Sequence, residues 1–316
     1  MATYKGISGL NIKSLSSDPS NLNEGEMWYN STSGTLKVAQ YVEAWASGAA
    51  FNTARHNLSG AGLQTAALIF GGDPSSALTE EYDGTSWTES GDLNTGRSSG
   101  TGFGIQAAAV MAGGHDAQTT TENYDGSTWT ASGALSTGRR YLAGAGIQTA
   151  GLAFGGYPPS SGVDATEEYN GSSWAAGGAL SPTTWASGGC GTQTAALKMG
   201  GADGSGSTAG TDTQEYNGSS WSTGGAMLSA NKQNKAAGIQ TAALTFGGNT
   251  TDTLTLGYDG SSWSTRPSLS TGRIYFAGSG TQSAAIASGD YNPPSGADNI
   301  VEEYTGAVTA QTITTS

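Results

Sequence analysis

The chain has 316 residues, a net charge of −13, only 12% charged residues, 51 glycines and one cysteine. That balance repels a phosphate backbone and leaves no local basic patch, so nucleic-acid binding is excluded as a main role. The lone Cys190 rules out an intramolecular disulfide or a thiolate metal cluster. Hydrophobic residues are 35% of the chain, and counted with glycine they reach the share of an ordinary globular domain.

Residues 1–40 come first and follow no repeat. The stretch through Asn23 is rich in Ser, Asn and Asp and contains Pro19, which predicts an arm or linker with little to pack. Glu26–Asn30 and Thr35–Val38, on either side of Ser31–Gly34, predict a hairpin. Met1–Ile7 has no apolar signal-peptide core, and no run of about 18 apolar residues exists anywhere. Neither classical secretion nor membrane insertion is expected.

From residue 41 the chain repeats. Gln64, Gln106, Gln148, Gln193, Gln240 and Gln282 are spaced by 42, 42, 45, 47 and 42 residues, a period that suggests propeller blades. Each unit reads as a Gly/Ala-rich strand, a turn at the Gln, and an apolar strand such as Ala66–Phe70 ending in Gly71-Gly72. A variable loop, a third strand ending in Tyr and a fourth at Trp complete it.

The sixth unit starts at Arg273 and keeps Gln282 and Tyr304, yet no Trp follows. Glu43–Gly48, with its Trp45, matches the end of a repeat and precedes the first complete one. The expectation is a six-bladed all-β propeller in residues 41–316 whose sixth blade is completed by the Trp45 strand, closing the ring.

The repeated Tyr and Trp residues are expected to fill the space between blades. Asp83-Gly84, Asp125-Gly126, Asn170-Gly171, Asn217-Gly218 and Asp259-Gly260 should supply positive backbone dihedrals to a tight turn. Arg55, Arg97, Arg139 and Arg273 recur at one position and read as structural hydrogen-bonding residues. Glu80-Glu81, Glu167-Glu168 and Glu302-Glu303 likewise hold a structural place. Cys190 stands where other repeats carry Ala61, Ala145 and Ala237, and reads as a small buried side chain.

Gly-Gly after an apolar strand, a spaced Tyr, a Trp, and an Arg before the next strand resemble the kelch repeat over residues 41–306. The run Asp18–Val38 is similar to segments of tail and fibre proteins of tailed bacteriophages, and the Gly/Ser/Thr/Ala-rich repeats resemble those of marine phages. That resemblance implies a structural or adhesive virion protein, a tail-fibre or decoration component made in the host cytoplasm. Its propeller would be displayed, and residues 1–40 would anchor it to other virion proteins. Copies of the chain and a host cell-surface glycan are further expected partners.

Kelch propellers include copper oxidases whose metal takes two His, two Tyr and a Cys-crosslinked Tyr. Here His56 and His115 lie in different segments of their repeats, so no copper site is expected. Asp83–Trp87 fails as a sialidase Asp-box, because its Asp and Gly are adjacent. Asp203–Ser207 lacks the alternating carboxylates of a calcium loop. No cofactor and no enzyme activity are expected, and a glycan hydrolase on the propeller scaffold is the alternative.

The Gln turns and the Asp/Asn-Gly turns are nearly uniform, whereas the opposite face diverges. Directly after the Arg position stand His56, Ser98, Arg140, Trp185, Lys232 and Ile274, followed by Asn57, Ser99, Tyr141, Ala186, Gln233 and Tyr275. Adjoining loops add His115-Asp116, Tyr157-Pro158-Pro159, Asp203, Asn249 and Tyr291-Asn292-Pro293. Aromatic, amide and charged groups on variable loops suit recognition of a glycan or a protein. Unconstrained loops would diverge in the same way. The candidate ligand-binding residues are His56, Arg140, Tyr141, Trp185, Lys232, Tyr275, His115, Tyr157 and Tyr291.

Overall fold

A computed structural model describes residues 12–158, 162–204, 206, 208–249, 252–292 and 296–314. Pro159, Ser205, Ser207 and Pro293 therefore lie outside the described residues. The chain divides into two compact units, Trp45–Tyr304 and a second made of Met1–Ala44 with Thr305–Ser316. The boundary thus falls at Ala44/Trp45, where 40/41 was expected, and the last residues group with the N-terminal ones.

The larger unit is a six-bladed β-propeller. Blade 1 is the meander Ser59–Leu63, Ala66–Phe70, Thr79–Tyr82 and Trp87–Ser90, and the next four blades repeat it. The sixth sheet begins with Ala277–Thr281, Ala284–Asn292 and Gly296–Thr312, and its next strand is Thr35–Ser47, which carries Trp45. The Trp45 ring lies 5.2 Å from that of Tyr304, and its Nε1 donates to Thr255 Oγ1 of blade 5 at 3.0 Å. The N-terminal strand closes the ring, as the displaced repeat end predicted.

Second strands are buried on both faces, and the core is divided into wedges between blades. Ala61, Leu68 and Phe70 of blade 1, for example, meet Ala109, Met111, Tyr124 and Trp129 of blade 2. First strands are Gly-rich because neighbouring blades approach closely there. A Cβ on Gly102 would stand 2.6 Å from both the Gly60 carbonyl oxygen and the Phe70 ring.

Polar side chains lock each blade to its neighbour. Gln106 Nε2 donates to the carbonyls of Ala67 at 3.0 Å and Tyr82 at 2.7 Å, and all six repeat glutamines make the same pair of bonds to the preceding blade. Trp129, Trp174, Trp221 and Trp263 donate Nε1 to a Thr hydroxyl of the preceding blade at 2.9 Å.

The Glu pairs divide their work. Glu80, Glu122, Glu167 and Glu302 meet Arg55, Arg97, Arg139 and Arg273 in buried ion pairs. Their neighbours Glu81, Glu168 and Glu303 accept from Tyr124, Tyr216 and Tyr82 of the next blade. Burial comes first among the causes that push those tyrosines up to about 12, and hydrogen bonds to the carboxylates add to it.

Two expectations need correction. At the Asp/Asn-Gly turns only the glycines have positive φ, 89 to 97°. The Asp or Asn instead accepts backbone N–H bonds from two and three residues ahead, as Asp83 Oδ1 does from Thr85 and Ser86 at 2.8 Å each. The Thr85 hydroxyl and these amides pull the Asp83 carboxyl down to about 2.

The stretch before Asn23 is also more than a linker. Lys13–Leu15 pairs in parallel with Met27–Asn30, which forms the predicted hairpin with Thr35–Ser47. Asp18 accepts from Trp28 Nε1 at 2.9 Å and Asn30 Nδ2 at 2.8 Å. Short polar side chains thus find partners ten or more residues away, which local composition does not reveal.

Candidate functional site

Where the chain passes from one blade's outer strand into the next blade's inner strand, it turns sharply over the axis. The residue two beyond the Arg position takes the left-handed conformation in every blade: Asn57, Ser99, Tyr141, Ala186, Gln233 and Tyr275, with φ between 53 and 61°. None is glycine. Five backbone hydrogen bonds link them in blade order: Ser99 N donates to Asn57 O at 2.9 Å, Tyr141 to Ser99 at 2.7 Å and Ala186 to Tyr141 at 2.8 Å. Gln233 donates to Ala186 at 2.6 Å and Asn57 to Tyr275 at 2.6 Å.

This ring carries an aromatic belt. Tyr291 stands 4.6 Å from His56, which is 6.3 Å from Tyr275. Tyr275 of blade 6 and Tyr141 of blade 3, half a ring apart in blade order, meet at 6.4 Å over the axis. Tyr141 is 5.9 Å from Trp185, which is 5.4 Å from Tyr157. Two cations lie over these rings, Arg140 5.4 Å from Tyr141 and 5.8 Å from Tyr157, and Lys232 5.8 Å from Trp185. Cations so placed are held by the ring quadrupole.

Eight of the nine candidate residues therefore form one continuous surface, and their side chains are half-buried. His115 stands apart in the short turn His115–Ala117, exposed, with Nδ1 3.0 Å from Asp116 Oδ1. Asp116 and Ala117, with Arg140, Tyr157 and Pro158, line an open groove at one end of the belt. At the other end His56 Nε2 lies 3.3 Å from Asp73 Oδ2, which also accepts from Asn57 Nδ2 at 2.6 Å. Burial raises the Tyr141 phenol above its ordinary range.

Beneath Tyr141 and Tyr275 a narrow axial cavity, partly open to solvent, is lined by the six left-handed residues and by Leu58, Gly100, Leu142, Ser187, Asn234 and Lys235. Lys235 also lines the next cavity along the axis. It heads the first strand of blade 5, at the position of Ser59, Thr101, Ala143, Gly188 and Ala277 in the other blades. Sequence reasoning missed it, although a Lys among five small residues was a visible signal. Among the described residues, no three His, Cys, Asp or Glu side chains gather as a metal site would require.

No protein-family model and no curated protein sequence matches the chain. Among solved structures it is similar to that of YjhT, with a TM-score of 0.68 and 12% identity, over 84% of this chain and 99% of that one. The likeness is one of fold, a six-bladed β-propeller.

Proposed function

We propose that this chain is a recognition propeller without catalytic chemistry, displayed on the particle of a tailed bacteriophage, and that the aromatic belt binds a host cell-surface glycan. The observation that carries the reading is the belt itself. Six rings from different loops meet edge to edge with Arg140 and Lys232 over them, an arrangement that can cover apolar sugar faces and hydrogen-bond hydroxyls. Weak single sites of this kind gain avidity when repeated on a particle. The resemblance of Asp18–Val38 to tail-protein segments supports the virion setting.

The glutamates most abundant in the repeats are engaged with Arg or Tyr partners, which argues against the paired free carboxylates of a glycoside hydrolase. Replacing Trp185 with Ala should cut host adsorption at least tenfold while the melting temperature moves by only a few degrees. Adsorption at the wild-type level, or turnover of a surface polysaccharide by the purified chain, would overturn the proposal.

A further inference from the structure

Lys235 is the one charged side chain on the wall of the upper axial cavity, and no carboxylate lines either cavity that it borders, among the described residues. Seven other buried or half-buried cations placed by the repeats have a counter-charge or a ring: the four buried arginines have glutamates, Lys198 has Asp212, and Arg140 and Lys232 have the belt. Among the described residues the Lys235 ammonium has no hydrogen-bond or ion-pair partner. Its neighbour Gly278 leaves the stem room, since a Cβ there would stand 2.6 Å from the Lys235 Cβ. A lysine is thus accommodated at a ring position filled elsewhere by small residues, in a chain of net charge −13.

We infer that the axial cavity takes the carboxylate of a bound ligand, with Lys235 as its counter-charge, so that the glycan recognised by the belt is an acidic one. The inference rests on the reading of the belt as a glycan platform and adds to it which sugars the platform prefers. The cavity is narrow, so only the carboxylate itself would enter it, and Tyr141 and Tyr275 above it would receive the sugar ring that carries that group. A half-buried ammonium lining a narrow cavity is poorly solvated, and an entering oxyanion offsets that cost while forming a charge-assisted hydrogen bond. Burial pushes the Lys235 amine down to about 8, so it is both a cation at neutral pH and a reactive amine slightly above it. The other titratable groups on the cavity wall are the phenols of Tyr141 and Tyr275.

The test compares glucuronate, glucose and acetate as probes on the full chain. Calorimetry on wild type and Lys235→Met should show glucuronate binding wild type at least tenfold tighter than glucose, with the preference lost in the variant while glucose binding stays. Independently of any variant, labelling of Lys235 by an amine reagent at pH 8, followed by peptide mass spectrometry, should be slowed severalfold by glucuronate and less by acetate. Glucose and glucuronate binding alike, with no protection of Lys235, would overturn the inference and leave the glycan reading standing. Neither sugar binding and no protection would overturn both. Protection by acetate and glucuronate to the same degree, with no glucose binding, would remove the glycan reading and with it the acidic sugar.

Discussion

The left-handed ring is where single residues bear most on function. A side chain other than Gly or Asn costs roughly 1–2 kcal/mol in that conformation, yet Ser99, Tyr141, Ala186, Gln233 and Tyr275 all adopt it. Strain kept at one repeated position, beside a cavity and an aromatic belt, is what a site that needs projecting side chains would retain. Ala186 tests the energetic part without touching the belt rings. Glycine there relieves the strain but loses about 0.5–1 kcal/mol through unfolded-state entropy and about 0.8 kcal/mol with the buried methyl, so Ala186→Gly should stay within about 0.5 kcal/mol of wild type in urea unfolding. A loss of about 1.5 kcal/mol or more would show that the ring imposes no strain.

At the scale of the blade, the Arg–Glu pairs vary as units. Four blades have Arg with Glu, blade 4 has Thr184 with Gln214, and blade 5 has Asn231 with Leu256. Asn231 Nδ2 donates to Gly247 O at 2.8 Å, replacing the 2.9 Å bond of Arg55 Nε to Gly71 O. Burial alone would raise the Glu122 carboxyl, but the Arg97 hydrogen bond and charge, with help from Asn94, hold it below its ordinary range. Arg97→Asn alone would strand that carboxylate and should cost about 3–5 kcal/mol. The double change Arg97→Asn with Glu122→Leu copies blade 5 and should cost under about 2 kcal/mol, because a well-packed apolar replacement removes the unpaired charge. Additive losses in a double-mutant cycle would refute the coupling. The blades themselves were legible because a 42-residue period survives in Gln, Tyr and Trp. The pairing of Arg97 with Glu122 was not, since 25 residues separate partners whose contact only the folded blade creates.

For the whole molecule, closure was readable from a Trp in surplus at one end and missing at the other, and the face of the candidate site from divergence among copies. The belt's continuity and Lys235 were not readable, because the period says which residues share a ring but not which meet across it, as Tyr141 and Tyr275 do. Closure has a measurable consequence, since a closed ring leaves no blade free to unfold by itself. Trp45 packs 5.0 Å from Phe246 of blade 5 and 5.2 Å from Tyr304 of blade 6, so Trp45→Ala removes the ring's last wedge and should lower its stability by about 3 kcal/mol. Trp28, 2% exposed in the unit containing the N-terminal hairpin, serves as the control. Trp28→Ala should raise amide exchange in residues 12–44 and leave the propeller's slowest amides unchanged. Trp45→Ala should instead raise exchange in the second strands of all six blades by a similar factor. Faster exchange confined to blades 5 and 6 would mean that the ring holds together without its clasp.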